Sequence, residues 1–205
     1  MPEVIGTRPF EQVPFQWSVH MEDAPNDIRH FEFLAIDNFG NIAAMAAALI
    51  EALPLAGPIF AYNASFEKQV LLRMANLAPE YGAALRALAD RLVDLLPITR
   101  AAYYHRDMRG SWSIKQVMPT IDPRLAYEHL DEVQEGDSAQ QAFLALRTPH
   151  VTPERLLQLR RALLRYCRHD TWVMVAFRHY LCGLPFQGKI GIENTKLNCY
   201  YEHRA

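Results

Sequence analysis

Cysteine is scarce in this sequence, and the few residues present do not suggest cross-linking. The three cysteines, Cys167, Cys182 and Cys199, are an odd number without the spacing of a disulfide framework. A reducing, cytoplasmic setting is the simplest inference, because disulfides persist in oxidising compartments.

Long apolar runs are also missing. No stretch approaches the roughly 20 apolar residues that a helix needs to cross a bilayer. The first residues lack a basic region followed by an apolar one. We therefore expect neither a membrane-spanning segment nor a secretory signal peptide, and no membrane partner.

Neither sign of charge dominates: 21 basic and 23 acidic side chains leave a net charge of −2. The chain thus has no overall basic field, although a local basic patch can still bind phosphates. Its 205 residues, half of them hydrophobic, suit one domain with a sizeable core. We assign residues 1–183 to that domain and residues 184–205, which show little periodicity, to a C-terminal tail.

Two segments near the start predict an antiparallel hairpin. Residues 12–20 alternate strictly, with Val13, Phe15, Trp17 and Val19 on one side, and this period of two indicates a strand with one buried face. A turn-rich stretch follows, and residues 28–35 form the second strand, with Phe31 and Phe33 on one face.

The rest of the sequence alternates between short apolar strands and helical patterns. Strands are predicted at 59–62 and 92–96, the latter ended by Pro97, and helices at 41–53, 66–77, 79–92, 138–147 and 152–181, with a short one near 113–118. Strand, helix and strand in succession favour an α/β sheet with parallel neighbours.

Glu67 is the first acid in a position to carry chemistry. The strand at 59–62 ends just before Asn63, and Glu67 lies in the first turn of the next helix. Carboxylates at the carboxyl ends of strands converge in the usual crevice of an open α/β sheet. The structural alternative is that Asn63 or Ser65 caps the helix and Glu67 complements its dipole.

Two further positions resemble the first. Asp94 lies inside an apolar strand, where it either supports a metal site or caps the following turn. Tyr166 and Asp170 are four residues apart and share a helix face, so a carboxylate can bind a metal while the phenol orients an attacking water. Alone, this tyrosine is as well explained by the core.

Taken in order, these segments resemble the DEDD superfamily of 3′–5′ exonucleases, the DnaQ-like group with an RNase H-like fold. The segment 62–67 is similar to the second exonuclease motif, and 166–170 to the third in its tyrosine form. Segments 6–16 and 110–115 are similar to a bacterial family of uncharacterised DnaQ-like proteins, and the resemblance covers about residues 5–182.

The resemblance implies an RNase H-like mixed β-sheet flanked by helices and a two-metal hydrolysis of phosphodiester bonds. Four carboxylates in such enzymes hold two Mg²⁺ or Mn²⁺ ions about 3.5–4 Å apart. When the motifs are matched residue by residue, the resemblance implies that Glu67 and Asp170 would be metal ligands and that Tyr166 would orient the water. Asp94 would support the metal site from nearby. Asn63 and Phe66 would contact the substrate.

Two departures from the superfamily pattern bear on activity. Glu67 replaces the more usual aspartate, and no aspartate in the chain is followed two residues later by glutamate, which is the first acidic motif. In the resembling family that motif lies just before the segment that begins at Gly6. We therefore expect the first central strand to be missing or incomplete and the activity to be impaired or absent.

A missing central strand would leave unpaired edges on the hairpin and on the strand at 59–62, and open edges invite pairing with another segment or chain. We weigh three explanations: a start at an internal methionine, which we favour; a degenerate domain that binds without cutting; and a strand donated by a partner or a second copy.

Basic and aromatic side chains are interleaved in the middle of the sequence. Arg109 and Lys115 flank Trp112, a pattern that can hold the phosphates and stack the bases of a single strand. The alternative is a solvated loop with one core tryptophan. A zinc site is also conceivable from the spacing of His179 and Cys182, or of Cys199 and His203, but unrelated residues explain these pairs better.

The sequence thus predicts a divalent-metal-dependent 3′–5′ exonuclease domain that acts on single-stranded nucleic-acid ends, impaired in this chain. The alternative is a non-catalytic module of the same fold that binds nucleic acid or protein.

Overall fold

The computed structural model describes residues 12–36, 40–130, 133, 135–148 and 151–186. The strands are β1 (Gln16–Ala24), β2 (Asp27–Leu34), β3 (Ile59–Ala61) and β4 (Leu92–Asp94). The α-helices are α1 (Ile42–Ala52), α2 (Ala64–Leu77), α3 (Gly82–Asp90), α4 (Leu95–Ala102), α5 (Ile114–Ile121), α6 (Gly136–Leu146) and α7 (Pro153–Leu181). The α/β class is therefore confirmed, with helices predominant.

Strands β1 and β2 form the predicted antiparallel hairpin. Trp17 lies opposite Phe33, and Val19 lies opposite Phe31, so one face of the hairpin is apolar as expected. The chain reverses at Asn26, whose φ of 63° is the left-handed conformation that asparagine tolerates better than most residues.

The prediction that only one face of this hairpin is buried is wrong. Ser18 and His20, on the polar face, pack against α7, where both side chains hydrogen-bond to Thr171 Oγ1 at 2.9 and 2.8 Å. Hydrogen bonds to the helix satisfy these polar groups, so a polar face can be buried without a large desolvation cost. Phe15, just before β1, departs from the alternation and stacks on Phe143 of α6.

Strands β3 and β4 pair in parallel, as the strand–helix–strand pattern predicts, with Ala61 opposite Asp94. The predicted strand at 92–96 ends early, because Asp94 accepts a hydrogen bond from Leu96 N at 2.9 Å and begins α4. Pro97 lies in the first turn of that helix, where a missing N–H costs little.

Within the described residues, the hairpin and the parallel pair remain two separate two-stranded sheets, so the single mixed sheet that we expected is not formed there. Each sheet contacts the same two helical layers. Trp17 and Ile59 pack in the core that includes α1 and α3, while Leu34 and Phe60 pack in the core that includes α6 and α7. The two sheets therefore occupy one layer between two layers of helices.

Helix α1 begins as predicted, because Asn41 Oδ1 caps it by accepting from Ala44 N at 3.0 Å. Helix α7 also begins as predicted, with Thr152 as its cap and Pro153 at its first position. It runs along the polar face of the hairpin and reaches β3, where Phe177 contacts Tyr62 with ring centroids 6.2 Å apart. No helix in the described part of the chain is long and apolar enough to span a bilayer.

The segment that begins at Gly6 and most of the tail lie outside the described residues, and the expected loss of the first acidic strand stays a prediction. The start of the tail packs back on α7, where Phe186 contacts the Trp172 ring at a centroid distance of 5.2 Å. The boundary at residue 183 stays a prediction.

Candidate functional site

The candidate site lies at the carboxyl ends of β3 and β4, where α2, α5 and α7 meet. Because these strands are parallel, the residues that follow them emerge at the same edge of the sheet. Helix α2 presents Glu67 from its first turn, and α7 presents Asp170. The structure thus brings together acids from distant parts of the sequence.

Asp94 is the structural support of this edge. Its Oδ1 accepts from Leu96 N and from Asn63 N, both at 2.9 Å, so one carboxylate oxygen joins the end of β4 to the turn after β3. Between the two alternatives for Asp94, the structure favours the cap, and the same contacts make it a positioning residue for the turn before Glu67.

Asn63 holds the turn between β3 and α2 in an uncommon backbone conformation, with φ at 67° and ψ at 54°. Its side chain does not cap α2, which corrects the structural alternative for this residue; its Oδ1 instead accepts from Ser65 Oγ at 2.9 Å. The next aromatic, Phe66, is 52% exposed beside Glu67, as a residue that stacks on a ligand would be.

Glu67 is half-buried, and its Oε2 is excluded from solvent without a hydrogen-bond partner. The pKa of Glu67 is raised to about 7, chiefly by burial and then by the negative charges of Asp94 and Asp170, against a hydrogen bond from its own backbone. The carboxylates of Asp94 and Asp170 therefore lie close enough to Glu67 for their charges to act on it. A glutamate with this pKa is partly protonated at neutral pH.

Asp170 is also largely buried, and its Oδ1 has no partner in hydrogen-bond geometry. Burial raises the pKa of Asp170, whereas the phenols of Tyr127 and Tyr166 and the charge of Lys115 oppose that rise. Tyr127 Oη faces the carboxylate without completing a hydrogen bond. The pKa values of both phenols are raised, chiefly by burial and then by Asp170, so both remain protonated donors.

Tyr127 is the residue at this site that sequence reasoning missed. It lies in a short 3₁₀ turn within a stretch predicted to be irregular, and no motif marks it. Lys115 lies beside this group, because its ammonium is 4.9 Å from the ring centre of Tyr127 and 5.0 Å from that of Tyr166.

The other predicted substrate-binding residues lie at different distances from the acids. Trp112 is adjacent to β3, since its carbonyl accepts from Tyr62 Oη at 2.7 Å, and its ring is 6.1 Å from that of Tyr104. Arg109 is exposed in a left-handed turn, and no contact among the described residues joins its side chain to the acids. Trp112 thus lies near the end of β3, and the substrate contacts of Trp112 and Arg109 stay predictions.

Two carboxylate oxygens without partners, in a buried and mutually repelling pair, are suited to a hard cation such as Mg²⁺ or Mn²⁺. They do not complete a site, because the described residues include no group of three or more His, Cys, Asp or Glu side chains arranged to hold a metal ion.

The first zinc pair considered above has another explanation. His179 Nε2 bonds Glu22 Oε1 at 2.6 Å, and its Nδ1 bonds the carbonyl of Pro185 at 3.2 Å, so both ring nitrogens are engaged. Cys182 is exposed at the end of α7. The second pair, Cys199 and His203, lies outside the described residues.

The raised pKa of Glu67 predicts an effect on stability in metal-free buffer. A carboxyl group with a folded-state pKa of about 7 and an ordinary value of 4.5 stabilises the fold below pH 4.5, and that contribution is lost as pH rises through 7. Because Glu67 is partly exposed, we reduce the effect that its pKa shift implies. We expect the free energy of unfolding of Glu67→Gln to rise by about 2 kcal/mol relative to that of the unmodified chain between pH 5 and pH 8. Urea unfolding at both pH values measures this difference.

The exposed Glu80 provides the matched control for this substitution. Its change to glutamine should leave the difference from the unmodified chain the same at both pH values. A Glu67→Gln difference that does not change with pH would show that burial and the neighbouring acids do not raise the pKa of this carboxyl group.

Comparisons with known proteins identify relatives without assigning them a role. The chain is 33% identical over 132 residues to the uncharacterized protein MG366 homolog of Mycoplasma pneumoniae, which is 58% of this chain and 20% of that protein. It is 31% identical over 127 residues to uncharacterized protein MG366 of Mycoplasma genitalium. That match covers 56% of this chain and 19% of that protein. The matched part is thus about a fifth of the length of these relatives. No solved structure matches the chain.

The family described as "Domain of unknown function (DUF2779)" matches residues 1–113, more than half of the chain. That range contains β1 to β4, Asn63, Glu67, Asp94 and Trp112, and it ends before Lys115, Tyr127, Tyr166 and Asp170. The chain belongs to the DUF2779 family.

Proposed function

We propose that the chain is an RNase H-like domain of the DEDD exonuclease type, which binds the single-stranded ends of nucleic acid and hydrolyses them when a full set of acids holds divalent metal. The observations that carry this proposal are two solvent-excluded oxygens without hydrogen-bond partners, Glu67 Oε2 and Asp170 Oδ1, on carboxylates close enough to repel each other, with the Tyr166 phenol beside Asp170.

The arrangement of the strands supports the fold part of the proposal. A hairpin and a parallel pair lie in one layer between shared helical layers, yet they do not pair with each other among the described residues. An RNase H-like sheet without its central first strand would have this arrangement. Arg178 of α7 fits between the two sheets, since its guanidinium pairs with Glu22 of β1 and lies 5.8 Å from the ring centre of Phe60 of β3.

The chemistry follows from the side chains around the acids. Divalent ions, when bound, would activate a water and neutralise the charge that develops on the scissile phosphate. Glu67 and Asp170 would hold them, and Glu67 must lose its proton to do so, so we expect cation affinity to rise with pH through about 7. The Tyr166 phenol, kept protonated by burial, would hold the attacking water by a hydrogen bond.

Substrate contacts fit the exposed aromatic groups near the acids. Phe66 is exposed beside Glu67, Tyr104 is 66% exposed, and Trp112 lies between Tyr104 and the end of β3. Stacking of a base on such a ring contributes about 1–3 kcal/mol and is tolerant of sequence, which suits a single-stranded end.

A non-catalytic nucleic-acid-binding module is the second candidate. It is favoured by one observation, the lack of a third acid in a metal-holding arrangement among the described residues. Both candidates predict binding of a single-stranded oligonucleotide, and only the first predicts hydrolysis once the acids are completed.

The test compares the chain with a version extended at its amino end by an apolar strand that carries Asp-x-Glu. Mn²⁺ binding is measured by calorimetry, and a 3′-labelled and a 5′-labelled single strand are followed for cleavage. We expect the extended protein to bind Mn²⁺ at least tenfold more tightly and to shorten the strand from its 3′ end.

In the extended protein, Asp170→Asn should abolish both gains, whereas the exposed control Glu80→Gln should keep them. Oligonucleotide binding without cleavage by a folded extended protein would support the binding module. An extended protein that binds neither Mn²⁺ nor oligonucleotide would refute both candidates.

A further inference from the structure

Lys115 occupies an unusual place for a lysine, because its ammonium lies between two phenol rings. Helix α5 begins one residue earlier, at Ile114, and directs the Lys115 side chain toward α7. Its Nζ is 4.9 Å from the ring centre of Tyr127 and 5.0 Å from that of Tyr166, and it donates to Tyr166 Oη at 3.4 Å. Both ring distances are within the range of cation–π attraction.

The same ammonium is a positive charge that acts on Asp170, together with His169. The carboxylate of Asp170 lies one helical turn from Tyr166 on α7, and Lys115 favours its ionised form. One ammonium thus faces a site with two carboxylates, Asp170 and Glu67, and an unpartnered oxygen remains on each.

We propose that Lys115 is a resident cation of the acidic site: held by Tyr127 and Tyr166, it compensates Asp170 when no divalent ion is bound and opposes the binding of one. This rests on the proposed function for the identity of the ion, and it adds a means of regulation to that site. A divalent ion on Asp170 must share the carboxylate with the ammonium or displace it, and two positive charges at this separation repel each other.

This role differs from the phosphate contact that the sequence suggested for Lys115. The effect of the Lys115 charge on metal affinity distinguishes the two roles. A phosphate contact would leave metal affinity unchanged or raise it through the substrate. A resident cation lowers metal affinity in the absence of any nucleic acid.

The first experiment tests the pairing of Lys115 with Asp170 by measuring Tm in buffer with EDTA, so that no divalent metal is bound. Lys115→Met keeps an unbranched side chain between the rings and removes the charge. We expect it to lower Tm by about 4 °C, because Asp170 loses its compensating charge. Combination with Asp170→Asn should recover at least half of that loss, whereas additive losses would refute the compensation.

The matched control is Lys68→Met on α2, where the lysine is 50% exposed and pairs with the exposed Asp90. It should change Tm by less than about 1 °C, as expected of a surface pair.

The second experiment titrates Mn²⁺ by calorimetry into the unmodified chain, Lys115→Met and Lys115→Arg, without nucleic acid. We expect Lys115→Met to bind Mn²⁺ at least tenfold more tightly than the unmodified chain, and Lys115→Arg to bind no more tightly than it. Measurable binding without that tightening would refute the competition and leave the proposed function standing. The absence of Mn²⁺ binding in all three proteins, and also in the chain extended with Asp-x-Glu, would refute both.

Discussion

Replacement of the two histidines between the hairpin and α7 is expected to make the chain more resistant to acid. We expect the double variant His20→Gln, His30→Gln to gain about 4 kcal/mol in free energy of unfolding relative to the unmodified chain when pH falls from 7.5 to 5. Urea unfolding of both proteins at several pH values in this range measures the difference.

The reason is that both imidazoles are buried in their neutral form. His30 Nε2 bonds Ser18 Oγ at 2.9 Å, His20 Nδ1 bonds Thr171 Oγ1 at 2.8 Å, and the two rings are 4.5 Å apart. Burial lowers the pKa of His20 to about 3, helped by the charges of His30 and Arg168. Burial, and then Arg168, lowers that of His30 to about 4.

The sign follows from these values. A histidine whose folded-state pKa lies below its ordinary value of 6.5 stabilises the fold above pH 6.5 and loses that contribution as pH falls toward the folded-state pKa. A pH of 5 is about 1.5 units below the ordinary pKa of each imidazole. Each histidine therefore lowers the free energy of unfolding by about 2 kcal/mol at this pH. Acids elsewhere titrate in both proteins, so their contributions cancel in the difference.

His105 provides the control, because its side chain is 41% exposed. The change with pH in the difference between His105→Gln and the unmodified chain should be far smaller than that of the double variant. A double variant with a difference that also stays constant would show that the pKa values of these imidazoles are not lowered in the folded protein.

The hairpin illustrates what an alternating pattern can predict. Strict alternation over 12–20 predicted which side chains share a face, and Trp17 and Val19 do lie together against the core that includes α1. The same pattern wrongly predicted that the polar face is exposed to solvent. Alternation indicates the polarity of a face, but it does not indicate which other elements pack on that face. Only the position of α7, a contact distant in sequence, shows that Ser18 and His20 are buried.

The candidate site likewise combines residues that local sequence could predict with residues whose roles depend on contacts distant in sequence. The positions of Glu67, Asp94 and Asp170 at strand ends and on a helix face follow from local sequence, and the structure brings their charges within reach of one another. Tyr127 could not be predicted, since its role depends on the approach of a 3₁₀ turn to α7. Local sequence also left open whether Asp94 caps a turn, which its two backbone hydrogen bonds now decide.

Phe177 joins this site to the core, and its removal is expected to have the second large effect. The side chain is fully buried, and its ring contacts those of Tyr62, just after β3, and Tyr180 on α7. We expect Phe177→Ala to lower the free energy of unfolding by about 4 kcal/mol, through lost burial and the cavity that remains. Urea unfolding at pH 7.5 measures this loss.

The matched control is Leu157→Ala on the same helix, where the side chain is 45% exposed, so that its change should cost less than about 1 kcal/mol. A Phe177→Ala cost as small as that of the control would mean that α7 is not packed on β3 as described.

Phe177 also tests how the site is assembled, because it holds α7 against the strand that leads to Glu67. If this packing excludes solvent from Glu67 and holds Asp170 near it, a looser helix should reduce the burial of Glu67 and, to a smaller extent, the repulsion between the two carboxylates. The pKa of Glu67 should then move from about 7 toward its ordinary value in Phe177→Ala, as followed by NMR of the side-chain carboxyl carbon. Destabilisation with an unchanged Glu67 pKa would show instead that α5 and its contacts to Tyr166 are sufficient to position Asp170.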